Sequence, residues 1–90
     1  MTNNLNRAIA TAAYKNVLLF VFQRGDSFRV FLFDTSSEEL LEHTNETGSI
    51  SEAQSEAKGL AVSYVHQRQR KPVPENYNYD KIILHWVSLG

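Results

Sequence analysis

Residues 17–33, VLLFVFQRGDSFRVFLF, set two apolar runs around a short polar break. Gly25-Asp26 reads as a two-residue hairpin turn, with glycine supplying the positive φ that such turns require. That turn pairs Arg24 with Ser27, Phe22 with Arg29, Phe20 with Phe31 and Leu18 with Phe33. Side chains alternate with period two, so these residues share one face of the ribbon. Val17, Leu19, Val21, Phe28, Val30 and Leu32 fall on the other. One face is aromatic and the other aliphatic, and both require cover. A sheet with one wet face would alternate apolar and polar residues instead.

Working outward, Leu5, Ala8, Ile9, Ala12 and Ala13 recur at helical spacing, and the pattern predicts a first helix over residues 3–14 capped at Asn3 or Asn4. Asp34-Thr-Ser-Ser37 is turn chemistry. Residues 38–47 read as a third strand carrying Leu40 and Leu41. The rival is a short helix capped at Ser36, with Glu39 completing a capping box. Ser49-Ile-Ser-Glu52 opens a second helix running to residue 69, with Ala53, Ala57, Leu60, Ala61, Tyr64 and Val65 as its apolar stripe. Lys71-Pro-Val-Pro74 ends it and begins a loop over 71–80. Residues 81–89 form a final strand, with Ile82, Leu84 and Trp86 on one face and Ile83, His85, Val87 and Leu89 on the other.

The expected fold is therefore α+β: one small domain over residues 1–90, in the order α-β-β-β-α-β. A three-stranded antiparallel meander over 16–47 packs on the long second helix, and the final strand returns beside an undetermined neighbour. Ninety residues suffice for one domain, and an apolar fraction of 42% with 21% charged residues is globular. The absence of cysteine excludes a disulfide framework and removes the commonest structural zinc ligand. The N-terminal stretch lacks the pattern of a signal peptide, and no apolar run approaches a membrane span. The expected location is cytoplasmic, with no membrane partner.

Net charge is −1, unevenly spread. No base occurs between Arg29 and Lys58, while Arg68, Arg70 and Lys71 form a small basic patch. Arg24-Gly25-Asp26 is explained as a hairpin tip; an adhesion role would require an extracellular protein. His43, His66 and His85 lie far apart with no metal-ligand spacing, so no metal or other cofactor is expected. The chain has no Gly-rich phosphate loop and no nucleophile elbow, and its carboxylates cluster on a polar stretch. The protein is expected not to be an enzyme.

The α-β-β-β-α order over residues 3–69 resembles the double-stranded-RNA-binding domain in topology. That family carries a basic start to its second helix, used against phosphates, where this chain has SEAQSEAK. A three-stranded sheet plus helix is also similar to AP2-like and integrase arm-binding DNA readers, whose sheets are basic. Here only Arg24 and Arg29 project from the hairpin. The resemblance implies a nucleic-acid-associated regulator using arginine, lysine and aromatic residues.

The doubly apolar hairpin favours a different reading. Helix two covers one face, and a first helix of small alanines is too slight to cover the other. The expectation is a non-catalytic interaction or regulatory protein, associating with itself or another protein through Phe20, Phe22, Arg29, Phe31 and Phe33. A compact monomer with both helices sandwiching the sheet is the further alternative.

Overall fold

The hairpin at the centre of the computed structural model follows the expected register residue for residue. Residues 7–90 are described. Strand β2 (Val17–Arg24) pairs antiparallel with β3 (Ser27–Asp34), and the partners include Arg24 with Ser27, Phe22 with Arg29, Phe20 with Phe31 and Leu18 with Phe33. Gly25 takes a φ of +62°, the conformation the turn demands and one that costs a side chain strain.

The chain before this hairpin is a strand, β1 (Arg7–Tyr14), where a helix over 3–14 is predicted; residues 3–6 of that prediction lie outside the described residues. Two features disguise β1. A bulge between Ala8 and Ala10 inserts Ile9 and breaks the period of two, so the apolar residues fall at helix-like intervals. The turn into β2 has no glycine, and Lys15 itself adopts a positive φ of 54°. Eight residues of isolated helix are marginal, whereas pairing with β2 satisfies the backbone along the whole segment.

Strand β4 (Leu40–His43) settles residues 38–47 in favour of strand, and an isolated bridge between Phe28 and Thr47 continues the pairing. Helix α1 (Ile50–Arg68) matches the expected second helix. Ser49 caps it, its hydroxyl accepting from the Glu52 amide at 3.3 Å. Glu52 in turn accepts from the Thr47 hydroxyl at 2.7 Å, tying the helix start to the end of the meander. After a loop and a 3-10 turn at Tyr79–Lys81, the chain is extended, but only Val87–Ser88 joins the sheet as β5. The predicted strand over 81–89 is thus mostly unpaired chain. It docks by Leu84 and Trp86 against the core, while Ile83 stays 72% exposed.

The described residues form a five-stranded antiparallel sheet in the order β4-β3-β2-β1-β5 with one α-helix. The class is α+β as expected, whereas the order α-β-β-β-α-β is replaced by four strands, a helix and a short fifth strand. The core lies between α1 and the aliphatic face. Val17, Leu19, Val21, Val30 and Leu32 are fully buried against Ala53, Ala57 and Ala61, whose small side chains let the helix lie close to the sheet. The molecule is 20 Å through its thinnest dimension, about the depth of one sheet plus one helix.

Thr44 closes this core at the sheet edge. It is fully buried; its hydroxyl accepts from the Val30 amide at 3.0 Å and donates to the Asn45 carbonyl at 3.0 Å. The side chain thereby supplies a partner that the ladder omits. Thr44→Val keeps the shape and leaves the Val30 N–H buried without its acceptor, at an expected cost of about 1–3 kcal/mol. Urea unfolding would show it as a lowered midpoint with unchanged slope.

Candidate interaction surface

The second face of the sheet carries Phe20, Phe22, Phe31 and Phe33, as the alternation requires, and α1 lies on the opposite side. The rings stack on one another: Phe22 meets Phe31 edge-on at 5.1 Å between centroids, and Phe20 meets Phe33 at 5.9 Å. Phe31 also touches the His43 ring at 5.6 Å. Each phenylalanine is partly buried, with neighbouring rings of the same face against it. The register extends the surface sideways. His43 pairs with Phe31, Leu40 with Phe33, Thr11 with Phe20, and Val87 with Thr11. Leu40 and Val87 are 53% and 58% exposed. The first helix that the alternative two-helix sandwich needs over this face is, over Arg7–Tyr14, strand β1, which widens the face instead.

The two ends of the face differ in shape. At the hairpin end, Arg29 sits in a shallow depression of about 50 Å³ with Phe22, Arg24, Ser27, Phe31 and Glu46. Its Nε is buried and has no hydrogen-bond partner among the described residues. At the opposite end, Leu18, Phe20, Phe33, Asp34, Thr35 and Glu38 line an open, largely apolar hollow of about 290 Å³. Glu38 is exposed there and holds a positive φ of 63°, its amide donating to the Asp34 carbonyl at 2.7 Å.

The predicted basic patch lies elsewhere, at the C-terminus of α1, and its members have separate structural roles. Arg68 donates to the Asp34 carboxylate at 3.0 Å and to the Tyr64 hydroxyl at 3.1 Å. Arg70 adopts a left-handed φ of 58° just beyond the helix, where glycine is the usual choice. The amides of Arg70 and Lys71 return to the carbonyls of Gln67 and His66, closing the last turn. All three side chains are exposed and suit the negative end of the helix dipole. They stand on the helix side of the sheet, away from the phenylalanines.

Asp34 is the residue that sequence reasoning passes over. Buried at the end of β3, it accepts from the Ser36 and Ser37 amides at 2.8 and 3.1 Å, and from Tyr64 and Arg68. Those two amides foremost hold its carboxyl below the ordinary aspartate range, with Tyr64 and Arg68 assisting. The Arg68 guanidinium is raised in turn, chiefly by the Tyr64 hydroxyl. Because the folded pKa is depressed, the stabilisation is complete above the unfolded value near about 3.9 and disappears as pH falls through the folded one. Asp34→Asn removes this acid-side component. The stability gap between wild type and variant, measured by urea unfolding at a series of pH values, is expected to shrink as the solution is acidified.

Among the described residues, no cluster of three or more histidine, aspartate or glutamate side chains is arranged to hold a metal ion. Nor is any helix among the described residues long and apolar enough to cross a membrane. No protein-family model, curated protein or solved structure matches the chain.

Proposed function

We propose that the protein is a non-catalytic interaction protein of the cytoplasm that associates with a second copy of itself through the phenylalanine face. The observation that carries this reading is an aromatic and aliphatic face running from exposed Leu40 across the partly buried Phe33, Phe31 and Phe20 to exposed Val87, with α1 on the other side. Strands about 4.8 Å apart, rising about 3.4 Å per residue, give four strands a projected face of about 450 Å² over seven residues. Two such faces approach the roughly 1,000 Å² that a specific interface needs, before the relief of the side chains is counted. A face of that size matches the largest apolar patch on a typical monomer, which is often functional, and burial of apolar surface contributes about 25 cal/mol per Å².

Sedimentation equilibrium over a wide concentration range tests the proposal. A dimer at low micromolar protein supports it, and a monomer at every concentration overturns it. A second reading draws on Arg24 and Arg29 beside the phenylalanines, which would stack and neutralise single-stranded nucleic acid. It requires binding that weakens steeply with salt, and an acidic chain favours it less.

A further inference from the structure

The chain from Tyr79 to Leu89 runs beside α1 to the outer edge of β1, and few ties hold it there. Ile82, Leu84 and Trp86 are partly buried and alternate with exposed Lys81, Ile83 and His85, so one face of the segment docks. No residue from Tyr79 to Leu89 is buried. Among the described residues, its backbone bonds before β5 stay within residues 78–82, apart from the Tyr79 carbonyl, which accepts from Lys58 Nζ at 3.1 Å. At the far end β5 supplies two residue pairs, Val87 with Thr11 and Ser88 with Ala10, and the Leu89 amide donates to the Ile9 carbonyl at 3.0 Å.

We infer that residues 79–89 form a releasable strap, which opens as one unit while the sheet and α1 stay folded, and so bares the outer edge of β1. The core closes without it. Among the described residues, the fully buried apolar side chains lie on β2, β3 and α1, and α1 packs directly on those two strands. Trp86, the strap's largest anchor, borders two open hollows, one of about 340 Å³ beside Lys58 and Ser55 and one of about 470 Å³ beside Ile9 and Gln23. Neither hollow is filled by the indole, so its dispersion contacts are incomplete. Segments held by few buried apolar contacts and by exposed backbone bonds are the first to open. The strap opens whole because its ties depend on one another. Without the Trp86 anchor, two residue pairs would have to close the entire chain from the end of α1 against its loop entropy.

Native-state amide hydrogen exchange tests this. Ile82, bonded to the Tyr79 carbonyl, and Leu89, bonded to Ile9, report the strap; Val30, bonded to the Thr44 hydroxyl, reports the core. In wild type both strap amides are expected to be protected, yet at least about 100-fold less than Val30. Low urea should change them little, because a partial opening exposes little surface. Trp86→Ala, confirmed as folded by circular dichroism, is expected to speed exchange at Ile82 and Leu89 by one common factor of about ten or more. Trp86→Phe, with a smaller common factor, serves where the alanine variant does not fold. Strap amides that match Val30 in protection and urea dependence overturn the inference, as does a complete lack of protection in wild type. Unequal factors at the two amides also overturn it, since the two ends would then open separately.

Discussion

Phe31→Glu is expected to weaken self-association by about 100-fold or more while the chain remains folded. The ring sits mid-face, in contact with Phe22 and His43, and is half-buried before any partner arrives. Covering what remains exposed contributes about 1–1.5 kcal/mol per ring, and a two-fold axis doubles every substitution, so about 2–3 kcal/mol is lost. The carboxylate adds a desolvation cost to that loss. Sedimentation of the variant should report a monomer at concentrations where wild type is dimeric, with an unchanged circular dichroism spectrum. Unfolding of the variant would mean that the ring serves a single chain's own core.

One residue further along the same strand, the expected effect changes in kind. Leu32 points to the aliphatic side, is fully buried, and packs beneath α1 with Leu19, Val21 and the helix alanines. Leu32→Ala removes methyl groups from a closed interior and is expected to destabilise the fold by about 3 kcal/mol. For a domain of this size that corresponds to a fall in melting temperature of about 10–20 °C. A large share of a small domain's stability is at stake, so calorimetry resolves it readily. Comparable losses of fold stability from Phe31→Glu and Leu32→Ala would argue that both faces are interior.

The hairpin was legible because its signals are local and agree with one another. Gly25 supplies the turn, alternation supplies the faces, and the register follows from both. Helix α1 was legible for the same reason, from Ser49 at its cap through the alanine stripe to Pro72 beyond its end. Strand β1 was hidden because its evidence is not local. Lys15 takes a backbone conformation that sequence assigns to glycine, the Ile9 bulge imitates helical spacing, and alanine carries a helix preference that pairing with β2 overrides. The short β5 pairs only with Ala10 and Thr11, and the apolar run from Ile82 packs by side chains without a ladder.

Of the candidate surface, the five residues Phe20, Phe22, Arg29, Phe31 and Phe33 do lie together, since one strand pair dictates their placement. The basic cluster Arg68, Arg70 and Lys71 is close in sequence yet divided in role, because Arg68 is committed to Asp34 and Tyr64. That commitment spans 34 residues from Arg68 to Asp34, and nothing in the local pattern announces it. Exposure of the phenylalanine face likewise depends on where residues 7–14 go, which the hairpin alone does not decide.

The most direct test looks for contact between phenylalanine rings of different copies. Chains labelled with carbon-13 in their phenylalanines, mixed with unlabelled chains, permit an isotope-filtered nuclear Overhauser experiment that reports only intermolecular proximity. Cross-peaks from the rings of Phe20, Phe22, Phe31 and Phe33 to side chains of that same face are the predicted result. Cross-peaks that instead join a dimer through α1 or the β4 or β5 edge would contradict the account.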